Sequence, residues 1–329
     1  MKRLFRNVFL FLAPVGILLI AYGIFCDWFF LQEKYFPKES KRMWSMSLTH
    51  QKFDYAILGS SRANGAFDME MLDSIIGFRG VNIAADGSGY VDNYLVLYKF
   101  LQNQNSIQYL FLQTDNYSFD PEKNFSNAFH VYNFLPYWHE DEFNQAISHY
   151  LDLTDQFVFN SFPWMRYYKY NKYYSPLQVI QRLKNYSSEK QKLPESFKAV
   201  NYPDLTYDTT KLYGIKGSKN FNINHFDESY LLKIIELCKH KRINILCFQA
   251  PDFHTQDIVY NNYNSTSDYL LELLNKQKVV FIKQDEILRK NSACFKDAGH
   301  LNDFGRYMFT NYFSSKIATT MKSHKQDNH

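Results

Sequence analysis

The sequence predicts an α/β protein whose parallel sheet is covered by helices on both faces. Three observations predict this fold. Short apolar runs alternate with helical patterns toward both ends of the chain, an aromatic-rich stretch over residues 119–225 interrupts that alternation, and a charge-free segment lies near the N-terminus. Strands followed by helices in this rhythm form parallel sheets with both faces covered. We therefore expect one sheet domain with an insertion and one transmembrane helix.

The N-terminal segment is the first element. Residues 8–26 carry no charge and approach the roughly 20 residues that cross the hydrocarbon core of a bilayer. Lys2, Arg3 and Arg6 precede them. A cleaved signal peptide is the alternative, but this apolar stretch exceeds the usual length of roughly 7–15 residues and lacks a small-x-small cleavage site. We interpret residues 1–27 as an uncleaved signal anchor.

The orientation of this segment does not follow from counting charges, because basic residues flank it on both sides. Those before it are closely spaced, whereas those after it are diluted by Asp27, Glu33 and Glu39. Long domains also translocate largely regardless of charge. We expect the N-terminus inside and the bulk of the chain outside.

The rest of the chain divides into a membrane-proximal stalk, residues 28–50, and a sheet domain, residues 51–329. Sites in parallel sheets form at the carboxyl ends of the strands. The predicted strands are residues 53–58, 80–84, 107–113, 243–249 and 278–282. The predicted helices are residues 68–76, 90–101, 227–240, 267–276 and 303–317.

Two short motifs carry the chemistry. Gly59-Ser60-Ser61-Arg62 follows the first strand, and Asp297-Ala298-Gly299-His300 precedes the last helix. A serine hydroxyl needs an adjacent base to act as a nucleophile, and a carboxylate holds that histidine in the right tautomer. Ser61, His300 and Asp297 would fill these roles, with backbone N–H groups near Ser61 to stabilise an oxyanion.

Each motif also has a plain structural interpretation. Gly-Ser-Ser is often an ordinary turn between a strand and a helix. Asp-x-x-His followed by Asn302 is compatible with a solvated loop and a helix cap. The order of the two motifs, their separation and their flanking patterns favour one Ser-His-Asp site.

At these residues the chain resembles the SGNH/GDSL hydrolase superfamily, in its membrane-anchored envelope type, which includes proteins of teichoic-acid D-alanylation and of alginate acetylation. Gly59-Ser60-Ser61 looks like the first block, with Ser60 in place of the usual aspartate. The segment 82–87 looks like the second block, whose glycine, here Gly87, donates a backbone N–H to the oxyanion hole. Asp297, His300 and the residues after them match the last block. The resemblance spans residues 53–318, except for a poorly matching middle.

The third block departs from the family pattern. The family places an asparagine where this chain has Asp115, and Asn116 is its neighbour. A carboxylate facing an oxyanion would be repulsive, so either Asn116 swings in as the third donor or this donor is missing. We include Asn116 with Ser61 and Gly87 among the expected oxyanion residues.

The resemblance implies a three-layer, flavodoxin-like sheet in a bacterial inner membrane protein with a periplasmic or extracellular main domain. It implies a serine esterase or O-acyltransferase that needs no cofactor. Its substrate would be an O-acyl ester, chiefly O-acetyl, of an envelope polysaccharide, and its upstream partner an integral membrane O-acyltransferase. The alternative is a catalytically silent relative that binds glycan or acts as a scaffold in an acylation complex. A lipid-directed esterase ranks lower, because the sequence shows no second amphipathic segment to extract lipid.

The insertion is dense in tyrosine, phenylalanine and tryptophan. Planar rings stack on sugars, but most of these rings are expected to form the insertion's own core. The exception is the segment 164–170, where charges alternate with aromatics and partial exposure is expected. Arg62, Trp164 and Tyr167 are the predicted substrate-binding residues.

Composition excludes several classes of partner and site. Lys and Arg number 37 and Asp and Glu 33, and three of the basic residues precede the anchor, so the main domain is nearly neutral. Nucleic acid calls for a concentrated basic patch and is not expected as a partner. The four cysteines show no disulfide framework and no zinc-ligand spacing, so no metal is expected.

Overall fold

A computed structural model describes residues 1–31, 40–119, 131–184, 207 and 219–326 of the chain. The chain forms two compact units. The N-terminal unit comprises Met1–Trp44 and Asn127–Lys192, and the sheet unit comprises Ser45–Ser126 and Leu193–His329. The predicted insertion, residues 119–225, is therefore divided between the two units, and its middle part, Asn127–Lys192, groups with the N-terminal helix.

The sheet unit contains a five-stranded parallel sheet in the order β2-β1-β3-β4-β5. All five predicted strands form, each slightly shorter than expected, which confirms the α/β class. The strands are β1 (Tyr55–Leu58), β2 (Gly80–Asn82), β3 (Tyr109–Gln113), β4 (Asn244–Phe248) and β5 (Val280–Ile282).

Two very short strands, β6 (Phe295–Asp297) and β7 (His300–Leu301), form a separate antiparallel hairpin. Sequence alone predicts a loop at this position, whereas the structure pairs Asp297 directly with His300 across the hairpin.

Helices flank the sheet, and the five predicted helices of the sheet domain are present: four agree within four residues at each end, and the last continues to Gln326, nine residues beyond the predicted end. The described helices in chain order are α1 (Lys2–Phe30), α2 (Lys41–Ser47), α3 (Ser61–Ala66), α4 (Met69–Ile76), α5 (Tyr90–Gln102), α6 (Asp141–Ser148), α7 (Leu153–Ser161), α8 (Pro163–Lys169), α9 (Asn171–Tyr174), α10 (Pro176–Lys184), α11 (His225–Lys241), α12 (Gln256–Val259), α13 (Tyr263–Lys276), α14 (Glu286–Arg289) and α15 (Asp303–Gln326).

Burial of the central strands on both faces explains their apolar sequences. Every residue of β1 and β3 is buried. Alternate strand residues such as Ile57 and Phe111 pack with Leu72 of α4 and Phe313 of α15 in one core cluster. Because successive strand residues point to opposite faces, the remaining residues of β1 and β3 face the other side of the sheet. Such two-sided burial is typical of parallel sheets.

The carboxyl ends of the strands lie at one edge of the sheet because the strands are in parallel register. Leu58 at the end of β1 pairs with Leu112, and Leu112 pairs with Cys247 of β4. Residues that follow β1, β3 and β4 therefore meet at this edge, although they are far apart in the sequence.

The N-terminal unit contains α1 and the helices of the middle part of the insertion, α6 to α10. Helix α1 is long and apolar enough to cross a membrane, and its apolar part is almost entirely exposed in the structure. Many of the insertion's rings pack against each other, as in the edge-on contact of Trp138 with Phe159, whose ring centroids are 5.6 Å apart. The expected aromatic core of the insertion is present here.

The stalk expected over residues 28–50 differs from the structure where it is described. Trp28 is exposed, but Phe29 and Phe30 at the end of α1 are buried, and so are all residues of α2. Residues 32–39 lie outside the described residues. The described part of this segment is packed structure because its apolar side chains, such as Met43 and Met46, are buried.

Candidate active site

Ser61 stands at the first position of α3, directly after β1. Ser60 caps this helix, since its hydroxyl accepts the backbone N–H of Arg62. The Oε1 atom of Gln113, the last residue of β3, accepts the backbone N–H groups of Ser60 and Ala63 at 2.9 and 3.1 Å and the hydroxyl of Ser60 at 3.0 Å. The turn that bears Ser61 is thus fastened to the neighbouring strand.

Gly59 makes this close approach of β1 and β3 feasible. A side-chain carbon at position 59 would lie 2.6 Å from the Cβ atom of Gln113 and 2.7 Å from that of Ala63. Only glycine leaves room for the Gln113 amide against the turn. The glycine of the first motif is therefore required by packing.

The hairpin of β6 and β7 places the base beside its carboxylate. His300 Nδ1 lies 2.8 Å from Asp297 Oδ1 and 3.1 Å from Oδ2. The Gly299 N–H donates to Asp297 Oδ1 at 2.9 Å, so the carboxylate is fixed by its own turn. This contact selects the tautomer with the proton on Nδ1 and leaves Nε2 as an acceptor.

Ser61 and His300 meet across 239 positions of sequence. The Ser61 Oγ atom lies 2.8 Å from His300 Nε2, within reach for proton transfer. The three residues predicted as nucleophile, base and orienting carboxylate form one continuous hydrogen-bonded row. Such a row is the arrangement that activates a serine for attack on an acyl carbon.

The pKa of Asp297 lies below its ordinary value. Burial raises it, but the hydrogen bond and charge of His300, the Gly299 N–H and the charge of Lys296 together outweigh burial. The carboxylate therefore stays ionised and acts on His300 as an acceptor.

A cavity of about 720 Å³ lies over this row and is large enough for a small ester on a sugar. Its lining includes Ser61, His300, Gly87 and Tyr117. Gly87 has a φ of +71°, a left-handed conformation that favours glycine. Among the hydrogen bonds of the described residues, none uses the backbone N–H of Ser61 or Gly87. Both remain available to an oxyanion at the cavity.

Arg62, a predicted substrate-binding residue, also lines this cavity, but its guanidinium is bound by the protein itself. It is 8% exposed and stacks on the Tyr117 ring, 4.8 Å from the centroid. Its Nε donates to the Gly299 carbonyl at 3.2 Å, and its two terminal nitrogens donate to Asp115, at 2.7 Å, and to the Ala250 carbonyl. Arg62 thereby joins the turn of Ser61 to the hairpin of His300.

The charge of Arg62 is balanced by two buried carboxylates. Burial alone would lower the pKa of the guanidinium, but Asp115 and Asp252 outweigh it and hold the pKa above its ordinary value. Asp252 also pairs with Arg289 at 3.0 Å and accepts the Tyr263 hydroxyl at 2.9 Å. Removal of one charge would leave the others uncompensated in a low-dielectric interior.

The third expected oxyanion donor, Asn116, points elsewhere. Its amide donates to the Tyr263 carbonyl and to the Ser267 hydroxyl, both at 2.9 Å, and its Oδ1 accepts the Ser267 hydroxyl. It lines a separate cavity of about 280 Å³ near the ends of β4 and β5. Of the two alternatives for the third block, this arrangement fits a missing side-chain donor, because Asp115 is the counter-ion of Arg62.

The two predicted substrate-binding aromatics belong to the N-terminal unit. Tyr167 is 1% exposed, and its hydroxyl donates to Asp27, so its ring offers no face to a sugar. Trp164 is half-buried and has edge-on contact with Tyr168. Partial exposure of the segment 164–170 is present at Tyr168 but absent at Tyr167. The alternation of charges and rings here is the pattern of an amphipathic helix, α8, with a buried side.

Sequence reasoning missed Gln113 and the clamp made by Arg62. Gln113 stands at the carboxyl end of β3, where site residues gather, and this position was the available signal.

Comparisons of the chain with protein-family models and with curated proteins find no match.

Proposed function

We propose that this protein is a membrane-anchored serine acyl hydrolase or acyltransferase of the SGNH type. The observation that carries the proposal is the row of Ser61, His300 and Asp297, with Ser61 Oγ 2.8 Å from His300 Nε2. The parallel sheet, with Ser61 after its first strand and the His300 hairpin before its last helix, supports the same superfamily.

The chemistry follows from the positions of these atoms. Ser61 Oγ attacks the acyl carbon of an ester while His300 Nε2 takes the hydroxyl proton. The N–H groups of Ser61 and Gly87 receive the oxyanion. Collapse of the tetrahedral intermediate breaks the bond to the alcohol, which leaves with the proton from His300. Water or a sugar hydroxyl then attacks the acyl-serine by the same route.

The substrate class rests on two features, the shape of the cavity and the anchor. A cavity of about 720 Å³ holds an acetyl group together with a sugar residue. Helix α1 would keep the domain at a membrane, with the N-terminus cytoplasmic and the site on the periplasmic or extracellular side. We therefore propose O-acetyl esters on a cell-envelope glycan, with a membrane-bound O-acyltransferase as the upstream donor.

The test is turnover of a small acetyl ester by the full-length protein in detergent. We expect the unmodified protein to hydrolyse the ester and, after an acid quench, to carry an acetyl group on the peptide that contains Ser61. Ser61→Ala should show neither the hydrolysis nor the acetylated peptide. Hydrolysis that persists in Ser61→Ala would refute the assignment of the nucleophile.

A second function, a silent scaffold that binds glycan, is favoured by one observation. Asn116 is turned away to Tyr263 and Ser267, which leaves the oxyanion site without a side-chain donor among the described residues. Glycan binding that is unaffected by Ser61→Ala, together with absence of any acyl-serine, would support the scaffold instead.

A further inference from the structure

The N-terminal unit carries an exposed apolar surface that the proposed chemistry does not use. We call it the apolar collar and define it by four side chains: Leu153 and Phe157 of α7, Tyr168 of α8, and Phe162 between the two helices. Leu153 and Phe157 are 82% and 67% exposed, and Tyr168 is 65% exposed. Leu153 and Phe157 are four residues apart and so share one face of α7. Exposed apolar clusters of this kind mark contact surfaces.

Helix α8, which carries Tyr168 of the collar, packs against the apolar helix α1. A side-chain carbon at Gly23 would lie 2.5 Å from the Trp164 backbone nitrogen and 2.8 Å from Pro163, so the start of α8 lies directly against α1 at this level. Further along α1, Phe30 stacks on Tyr167, with ring centroids 5.8 Å apart. The two helices therefore pack together over the last two turns of α1.

The length of free helix before this contact is too short to span a bilayer. Arg6 is the last charged residue before the apolar segment, and Gly23 lies about 17 residues beyond it. At 1.5 Å per residue this distance is about 26 Å, against a hydrocarbon thickness of about 30 Å. Tilt would shorten the span further. If Arg6 lies at one membrane–water interface, Gly23 and the start of α8 therefore lie inside the hydrocarbon layer, just short of the opposite interface.

Two charged groups near the collar, Asp27 and Lys169, have partners within the unit. Asp27 is 8% exposed, and its carboxylate accepts hydrogen bonds from Arg166, at 2.6 Å, and from Tyr167. Lys169 pairs with Asp155 and so joins α8 to α7. Paired charges and satisfied hydrogen bonds lower the cost of placing this part of the unit in an interface. Trp and Tyr side chains are also enriched at that depth.

We infer that the apolar collar lies within the near leaflet of the lipid bilayer that α1 crosses, as a second membrane contact of this protein. The inference rests on the proposal that α1 spans a membrane. It assigns Leu153, Phe157, Phe162 and Tyr168 to the acyl boundary, at the level where α8 packs against the second half of α1. It also differs from the sequence-based expectation that the chain has no second amphipathic segment.

Site-directed spin labelling of the full chain tests this inference. The natural cysteines, all of them buried, are not expected to react, so a nitroxide is attached to Phe157→Cys or Tyr168→Cys. Exposed substitutions of this kind change stability little. Each protein is reconstituted, one copy per nanodisc, into dioleoyl phosphatidylcholine with phosphatidylglycerol. One copy per disc prevents a second copy from covering the collar.

Two further labels serve as references. Leu18→Cys lies on the exposed part of α1, and Asp141→Cys lies at the exposed, charged start of α6 in the same unit. We expect the spectra of the labels at Phe157 and Tyr168, like that of the label at Leu18, to be broadened by oxygen, which is concentrated in lipid. A water-soluble nickel chelate should not broaden them. The label at Asp141 should show the opposite response.

The outcomes separate this inference from the proposed anchoring. Nickel broadening at Phe157 and Tyr168 equal to that at Asp141, with Leu18 protected, would overturn the collar and leave the anchor intact. Nickel broadening at Leu18 would overturn the anchor and the collar together. Neither outcome bears on hydrolysis at Ser61, which is measured separately.

Discussion

Replacing Arg62 by methionine removes the side chain that joins the turn of Ser61 to the hairpin of His300. The variant keeps a similar volume but loses the donor to the Gly299 carbonyl, at 3.2 Å, and the positive charge beside Asp115, at 2.7 Å. We expect both stability and activity to fall, for two separable reasons.

The loss of stability comes from a buried carboxylate left without its cation. Breaking a buried ion pair in this way costs about 3–5 kcal/mol. Asp115 would keep hydrogen bonds from Gln113, Tyr117 and Ser118, and Asp252 would keep Arg289. We therefore expect the lower end of this range, about 3 kcal/mol of unfolding free energy.

The loss of activity comes from a hairpin no longer held against Ser61. Misplacement of a catalytic group by about 1 Å costs roughly a hundredfold in rate. We expect kcat to fall by about that factor per folded molecule while KM for a small ester changes little. In Arg62→Met/Asp115→Asn the uncompensated charge is gone, so about 1–2 kcal/mol should return without the activity.

The assays are urea denaturation followed by far-ultraviolet circular dichroism, since all four tryptophans lie outside the sheet unit, and ester hydrolysis normalised to reactive Ser61. Arg289→Met is the matched control, since Arg289 is also buried and shares Asp252, and its side chain pairs with Asp252, Asp257 and Glu286, which all lie outside the hairpin. It should lose stability and keep most of its activity. The clamp would be refuted if Arg289→Met lost as much activity as Arg62→Met. It would also be refuted if activity returned together with stability in Arg62→Met/Asp115→Asn.

Three further predictions concern residues around the site. Gln113→Ala leaves buried N–H groups of the nucleophile turn without an acceptor and should cost about 2–4 kcal/mol in urea denaturation; a loss below 1 kcal/mol would contradict this. Gly305→Ala places a methyl 2.0 Å from the Cys294 carbonyl and should lower Tm clearly, whereas Gly299→Ala, with 3.8 Å of space, should not. Because the pKa of Asp297 is lowered in the folded state, its contribution to stability is present above about pH 4 and is lost as pH falls further. Asp297→Asn should therefore be less stable at pH 7 but match the natural sequence at acid pH in denaturation.

The sequence predicts the sheet well, because each strand is a short apolar run buried on both faces and flanked by a helix. It also predicts that Ser61 forms one site with Asp297 and His300 although they are far apart in the sequence, since few residue types can carry out this chemistry. The hairpin of β6 and β7, which aligns Asp297 with His300, could not be predicted from the sequence. Two-residue strands such as β7 leave no periodicity in a sequence.

The fate of Arg62 escapes prediction for a different reason. Its partners Asp115, Ala250 and Gly299 come from three distant segments, and nothing local in the sequence shows that they converge on one guanidinium. The same holds for Tyr167. Its burial depends on packing against α1, about 140 residues earlier in the chain.

The central claim is that His300 activates Ser61 as a nucleophile, and the rate of labelling by a fluorophosphonate measures this most directly. Peptide mass spectrometry should find the label on Ser61, no label in Ser61→Ala, and a rate reduced by about 10²–10⁴ in His300→Gln. Unchanged labelling in His300→Gln, or a label on another residue, would contradict the account.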